Sequence, residues 1–197
     1  MDKVTIDTYN HTAEAYDAET ASFWDLFPRT IIDTFARMVH GRVLDVGSGP
    51  GRDGLILQEK GVEVTCLDAS EAMIALSTSR GLQSVVGDFC ALPFPDATFW
   101  GVWAYTALLH VPKAEIGTAL SEIARVLTTG GVFGLGLIEG DDEKYRESSG
   151  INLPRWFSYY QKEEIENLLR MHGFAVVYFE QFKPASKNYF NFICRKN

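Results

Sequence analysis

The run Val43-Leu44-Asp45-Val46-Gly47-Ser48-Gly49-Pro50-Gly51 constrains the fold of this chain more than any other segment. Strand-forming residues lead into glycines at alternate positions, and an amphipathic helical pattern, Arg52–Lys60, follows without a spacer. Gly47 permits a tight turn, Gly49 lets a ligand approach the backbone, and Gly51 permits close packing of helix on strand. Free N–H groups at the start of the helix favour a negative or electron-rich group nearby. Taken alone, the spacing fits either a cofactor cradle or a merely tight strand–helix turn.

The rest of the chain repeats this alternation. Apolar runs at Arg42–Val46, Val62–Asp68, Gln83–Gly87, Thr98–Ala104 and Gly131–Ile138 read as strands, with helical patterns at Arg52–Lys60, Glu71–Arg80 and Lys113–Leu127. A helix at Lys162–His172 precedes two more strands, Ala175–Phe182 and Tyr189–Cys194. Near-continuous apolar strands separated by helices predict a parallel sheet covered on both faces. The last two strands are separated only by Lys183–Asn188, too short for a crossover helix, so they should pair as an antiparallel hairpin. The expected fold is α/β: a Rossmann-like, doubly wound sheet ending in that hairpin. A helical segment over about residues 1–40 precedes it, with helical stretches at Asn10–Thr20 and around Ile31, Phe35 and Val39, after Pro28. It should lie against the sheet or over its carboxyl edge. With 197 residues and no linker or repeat, the chain is expected to form one domain, residues 41–197 being the core.

Other strand ends point at the same crevice. Asp68 closes the strand after the glycine turn, where a carboxylate can take both ribose hydroxyls or can cap the helix that follows. Asp88 closes the next. It can accept from an adenine amino group while Phe89 packs on the ring, or it can form an Asx turn ahead of Pro93. Pro50 and the missing third-glycine spacing argue against a pyrophosphate binder. Asp45 would repel a diphosphate, whereas a sulfonium cation with an amino-acid tail accepts such a neighbour.

Together, Val43–Gly51, Leu67-Asp68-Ala69-Ser70-Glu71-Ala72-Met73 and Gly87-Asp88-Phe89-Cys90-Ala91-Leu92-Pro93-Phe94 resemble the class I S-adenosylmethionine-dependent methyltransferases. The likeness is to the small-molecule subgroup with the ubiquinone- and menaquinone-biosynthesis enzymes. It extends through Phe99–Pro112, Glu122–Leu127, Gly130-Gly131, Phe157–Tyr160 and His172–Phe174, and so over about residues 40–195. The resemblance implies S-adenosylmethionine as cofactor, S-adenosylhomocysteine as its product, and strand order 3-2-1-4-5-7-6 with the seventh strand antiparallel. It implies cofactor contacts at Asp45, Gly47, Ser48, Gly49, Gly51, Asp68, Ala69, Asp88, Phe89, Ala104 and Tyr105, with Tyr16 added from the N-terminal segment. The fourth strand ends in Ala104-Tyr105-Thr106-Ala107 rather than the Asn/Asp-Pro-Pro-Tyr/Phe signature of base-amino methyltransferases, which argues against a nucleic-acid amino target.

On the acceptor side, His110 follows the fourth strand with a side chain suited to proton transfer near neutrality. It is a catalytic candidate with Tyr105 and Tyr159, and equally a lining or structural residue. Arg155, Tyr159 and Tyr160 lie in the aromatic connecting segment Arg155–Tyr160, which reads either as a pocket wall or as packing. If Arg155 lines a pocket, it favours an acceptor with a carboxylate. Tyr9 and Tyr16, with Trp24, would cap the crevice. Trp100 and Trp103 are expected in or near the core, and Glu139–Glu143 reads as a solvated loop.

Composition narrows the partners. A formal charge of -8, with 26 acidic against 18 basic residues and no basic tail, argues against a nucleic-acid backbone as ligand. A small-molecule substrate fits better. The alternatives are a methyltransferase acting on protein or RNA, and a silent cofactor-binding domain. No Cys/His cluster suggests a metal, and Cys66, Cys90 and Cys194 read as free thiols in a reducing compartment. With neither a signal-like N-terminus nor a membrane-length apolar run, a cytoplasmic, non-membrane protein is expected.

Overall fold

The computed structural model describes residues 2–148, 151–184 and 186–197. Its strands are β1 (Val43–Val46), β2 (Val64–Asp68), β3 (Gln83–Val86), β4 (Phe99–Tyr105), β5 (Leu127–Ile138), β6 (Glu143–Ser148), β7 (Ile151–Ser158), β8 (Phe174–Phe182) and β9 (Tyr189–Lys196). Its helices are α1 (Lys3–Glu19), α2 (Phe23–Leu26), α3 (Thr30–Met38), α4 (Arg52–Glu59), α5 (Glu71–Ser79), α6 (Ile116–Val126) and α7 (Lys162–Met171). One sheet runs β3-β2-β1-β4-β5-β9-β8. Its first five strands are parallel, whereas β9 is antiparallel to both β5 and β8. With the separate β6–β7 pair set aside, this is the order 3-2-1-4-5-7-6, and the antiparallel end follows from the short connection before β9.

Two apolar layers cover the sheet, sorted by the alternation of side chains along each strand. Leu44 and Val46 of β1 and Val102 and Ala104 of β4 join α6 and α7 in one core, through Leu120, Ile123, Ile165 and Leu169. Val43 of β1 and Trp103 and Tyr105 of β4 meet α3 and α4 in the other, through Ile31, Ile32, Phe35 and Leu57. The same alternation sends Asp45 toward the α3/α4 side. Trp103 is fully buried, but Trp100 is 44% exposed, because its position in β4 brings it to the beginning of the strand beside Gly41 rather than into the layer.

Two expectations change. The segment Arg155–Tyr160 is not a plain connection: its first residues end β7, which pairs antiparallel with β6. The acidic stretch accordingly ends in a strand. The Glu143 carboxylate accepts from the Lys113 N–H at 2.8 Å, and Asp142 pairs with Lys144 and Arg146. The N-terminal helix is also longer than its expected Asn10–Thr20, starting at Lys3 with Asp2 accepting from Thr5 N–H as its cap.

Helix α1 lies across the carboxyl ends of the strands and is fastened at three places. Thr8 Oγ1 donates to the Pro154 carbonyl and Thr5 Oγ1 accepts from Trp156 N–H, both on β7. Asn10 Oδ1 accepts from Ser70 Oγ at the start of α5. Asp17 pairs with Arg52 of α4 at 2.7 Å and with Arg80 after α5 at 2.5 Å. Burial pushes the Asp17 carboxyl up, but the hydrogen bonds from Arg80 and Arg52 outweigh it and hold it below the usual carboxylate range. Cys66 and Cys194 are buried and Cys90 is half-buried, all three as free thiols. No helix among the described residues is long and apolar enough to cross a membrane.

Candidate functional site

The glycine turn is built from backbone. Gly47 and Ser48 N–H donate to the Leu67 carbonyl of β2 at 2.7 and 3.1 Å, which folds the chain back above β1. Gly47 sits at φ +68°, and a Cβ there would stand 2.4 Å from that of Ala107. Gly51, at φ +85°, serves the packing role expected of it: a Cβ would strike Leu82 and Ser77, so only glycine allows α4 so close.

Two adjoining cavities open above this turn. One, with an empty volume of about 450 Å³, is lined by Gly47, Gly49, Asp68, Met73, Phe89 and Ala107, with Tyr9, Tyr16 and His110 closing it. The other, of about 500 Å³, is floored by Asp45, Ser48, Arg52 and Asp53 and roofed by Phe23 and Trp24. Gly47, Gly49, Tyr16, Tyr105 and Thr106 belong to both. A third and larger cavity, of about 940 Å³, lies beyond Tyr9, Tyr16, Thr106 and His110, against Phe27, Leu109, Ile138, Phe157 and Tyr189. Thus α1, the glycine turn and the end of β4 enclose one continuous crevice at the carboxyl edge of the sheet, the edge where open α/β sheets bind ligands.

The crevice floor is acidic. Asp68 accepts from Gly49 N–H through Oδ2 at 2.9 Å and from Ser70 N–H through Oδ1 at 2.8 Å. Asp53 accepts from two indoles, Trp24 Nε1–H at 2.6 Å and Trp103 Nε1–H at 2.7 Å. Asp45 Oδ2 is buried with no hydrogen-bond partner, as is Ser48 Oγ. Burial raises all three carboxyl pKa values. At Asp45 the negative charges of Asp53 and Asp68 add to it, pushing the group well above the usual carboxylate range. Such a floor favours a cation.

At the junction of the first and third cavities a hydrogen-bond chain settles the state of His110. Its Nδ1 lies 2.6 Å from the Trp156 carbonyl, which can only accept, so Nδ1 carries the proton. Nε2 therefore accepts from the Tyr9 hydroxyl at 2.8 Å, and Tyr9 Oη in turn accepts from Arg155 Nη1–H at 3.1 Å. Burial lowers the His110 pKa to about 4, against the carbonyl bond that would raise it. His110 is neutral at pH 7, with both nitrogens engaged.

Several expected residues lie elsewhere. Tyr159 does not line the three cavities; its ring stacks under the Arg146 guanidinium at 4.5 Å. Tyr160 is fully buried in the α6/α7 core with Lys113 Nζ 4.9 Å from its ring. Ala104 is also core, and Ala69 and Gly51 do not line the three cavities. Asp88 caps its own turn, Oδ1 accepting from Cys90 N–H at 2.9 Å, while Phe89 reaches the cavity. Arg125 holds that loop in place by donating to the Leu92 and Phe94 carbonyls and to Glu122. Arg155, 5% exposed, lies on the wall of the third cavity.

Other lining residues were not singled out from sequence. Thr106 lines all three cavities at φ +52°, an uncommon conformation for a β-branched residue, held by its N–H bond to the Gly136 carbonyl. Nothing in its sequence context signals this. Asp53 reads as an ordinary first-turn helix acid. The tryptophans that engage it come from β4 and from α2, which only folding brings together.

Comparison with known proteins agrees with the fold. Residues 43–131 match a family model described as a methyltransferase domain. A sterol 24-C-methyltransferase of Gibberella zeae is 39% identical over 105 residues, which are 48% of this chain and 27% of that protein. A demethylmenaquinone methyltransferase of Beutenbergia cavernae is 36% identical over 108 residues, 54% of this chain and 44% of the relative. The chain therefore matches well under two thirds of the length of these relatives. Among solved structures, the DhpI protein, in complex with S-adenosylhomocysteine, superposes with a TM-score of 0.78 at 20% identity, covering 100% of this chain and 99% of that one. The strand order is that of the Rossmann-like class I methyltransferase fold, and residues 43–131 within it match the methyltransferase-domain model.

Proposed function

We propose that this chain transfers the methyl group of S-adenosylmethionine to a small-molecule acceptor. The observation that carries the reading is the continuous crevice: two cavities around the glycine turn open, past Tyr9, Tyr16, Thr106 and His110, into a third with aromatic walls. The residues of the first two fit the cofactor. Asp45 Oδ2 and Ser48 Oγ are buried polar atoms in want of a partner, and the carboxylate floor suits a molecule with a sulfonium and an ammonium group. When bound, S-adenosylmethionine supplies an electrophilic methyl group on a positively charged sulfur.

In this reading Asp45, Ser48 and the backbone of Gly47 and Gly49 hold the amino-acid part, with Tyr16 and Tyr105 beside it. Asp68 takes the ribose and Phe89 packs on the adenine. Asp88, being bound into its own turn, orients Phe89 and is a weaker candidate for the amino group. Helix α1, pinned by Asp17, excludes water and holds donor and acceptor in line, which is the main demand of the reaction. His110 keeps Tyr9 fixed between the cavities. Kinship with quinone-biosynthesis enzymes, the narrower reading of the motifs, is supported by the demethylmenaquinone relative.

Calorimetric titration with S-adenosylhomocysteine tests the cofactor site, with Asp68→Ala as the control that loses binding. Label from isotopic S-adenosylmethionine, traced into a cell extract, tests the acceptor class. Label in the small-molecule fraction supports the reading. Label in protein or RNA replaces the acceptor class, and failure to bind S-adenosylhomocysteine removes the reading altogether.

A further inference from the structure

The third cavity has a charge pattern unlike that of its surroundings. In a chain of net charge -8 its wall carries two cations, Arg155 and Lys187, against one carboxylate, Glu19, on the exposed end of α1. The Arg155 guanidinium lies over the Tyr9 and Phe157 rings, 5.3 Å from each centroid, and Lys187 Nζ is 6.0 Å from the Phe157 ring. The two cations therefore converge on one aromatic side chain. Among the described residues no carboxylate pairs with Lys187, whereas Lys113 and Lys144 each find one. Burial and then the like charges of Arg155 and Arg146 hold the Lys187 ammonium below its usual range. Arg146 is itself anchored to Asp142 and stacked on Tyr159, so it adds field without joining the wall. Phe23, Phe27, Leu109, Ile138 and Ile151 give the same wall an apolar stretch.

Resting on the methyltransferase reading, we infer that the acceptor is an amphipathic organic acid, its carboxylate held between Lys187 and Arg155 and its apolar body lying along Phe23, Phe27 and Phe157. An anion beside Lys187 offsets the like charges that crowd its ammonium, and Arg155, held on the Tyr9 hydroxyl, adds to the positive field there. The body then spans toward Thr106 and His110, where the methyl-accepting atom meets the cofactor cavity. A neutral lipid or quinol would leave the Lys187 ammonium against an apolar surface without a counter-charge, which is costly.

The test uses the full chain saturated with S-adenosylhomocysteine, titrated calorimetrically with 2-naphthoate and with its neutral isostere 2-naphthamide. Naphthoate should bind about ten-fold or more tighter than the amide, as expected for one charge-assisted contact. Lys187→Met, which keeps the apolar stem of the side chain, should cut that preference by about three-fold or more and leave S-adenosylhomocysteine affinity unchanged. Equal binding of acid and amide, absence of naphthoate binding at millimolar concentration, or a preference untouched by Lys187→Met would each overturn the inference. Failure of S-adenosylhomocysteine to bind at the outset would instead overturn the cofactor reading on which it rests.

Discussion

Acid should destabilise this protein through His110. The imidazole has a pKa of about 4 in the fold against an ordinary 6.5, because it is buried. Between those values the unfolded chain binds more protons than the folded one, so stability falls as pH falls. The contribution is complete above the unfolded pKa and is lost as pH drops through the folded one. For a single site the loss relative to pH 7.5 is about 2 kcal/mol at pH 5 and about 3 kcal/mol at pH 4. Asp45, Asp53 and Asp68 act in the opposite direction, since their raised carboxyls take up protons in the fold. A raw stability profile therefore mixes both signs. His110→Gln separates them: glutamine can still donate to the Trp156 carbonyl and accept from Tyr9, but it cannot titrate. Urea unfolding of both proteins at pH 7.5, 5 and 4 gives the difference curve. The advantage of wild type should shrink on acidification by about the amounts given above. A difference constant to within about 0.5 kcal/mol would refute the buried, neutral imidazole and the hydrogen-bond chain deduced from it. The same state implies that His110 contributes no limb near pH 6.5 to an activity profile.

Other perturbations read the crevice directly. Asp45→Asn replaces a buried carboxyl group crowded by Asp53 and Asp68, so the ligand-free protein should be as stable or more so at pH 7 while S-adenosylhomocysteine affinity falls about ten-fold; unchanged affinity by calorimetry would take Asp45 out of the site. Gly47→Ala places a Cβ 2.4 Å from that of Ala107 at φ +68°. It should cost about 2–5 kcal/mol, seen as a drop of several degrees in Tm and as lost cofactor binding, and a Tm equal to wild type would contradict the turn geometry. Arg125→Lys cannot reproduce the fork that holds the Leu92 and Phe94 carbonyls, and should cost about 1 kcal/mol while weakening S-adenosylhomocysteine binding through the loop that carries Phe89. If stability falls but affinity does not, Arg125 supports the fold without positioning the site.

Much of this protein follows from local rules. Alternating apolar runs and helical periods determined the sheet and its layers, and the six residues between β8 and β9 determined the antiparallel end, because chain length limits how strands can be joined. The glycines of the turn marked the crevice because backbone conformations at positive φ leave a residue-type signature. The narrower site did not follow. Tyr159 and Tyr160 looked like pocket residues from their aromatic neighbourhood, but alternation along β7 and its continuation turned one onto Arg146 and the other into the core. Asp53, Thr106 and Lys187 became part of the crevice through contacts between segments far apart in the chain, and no local pattern records such contacts. The state of His110 was likewise decided by tertiary structure. A histidine after a strand is an ordinary base in sequence, and only the carbonyl of Trp156 and the hydroxyl of Tyr9, 46 and 101 residues away, fix which nitrogen bears its proton.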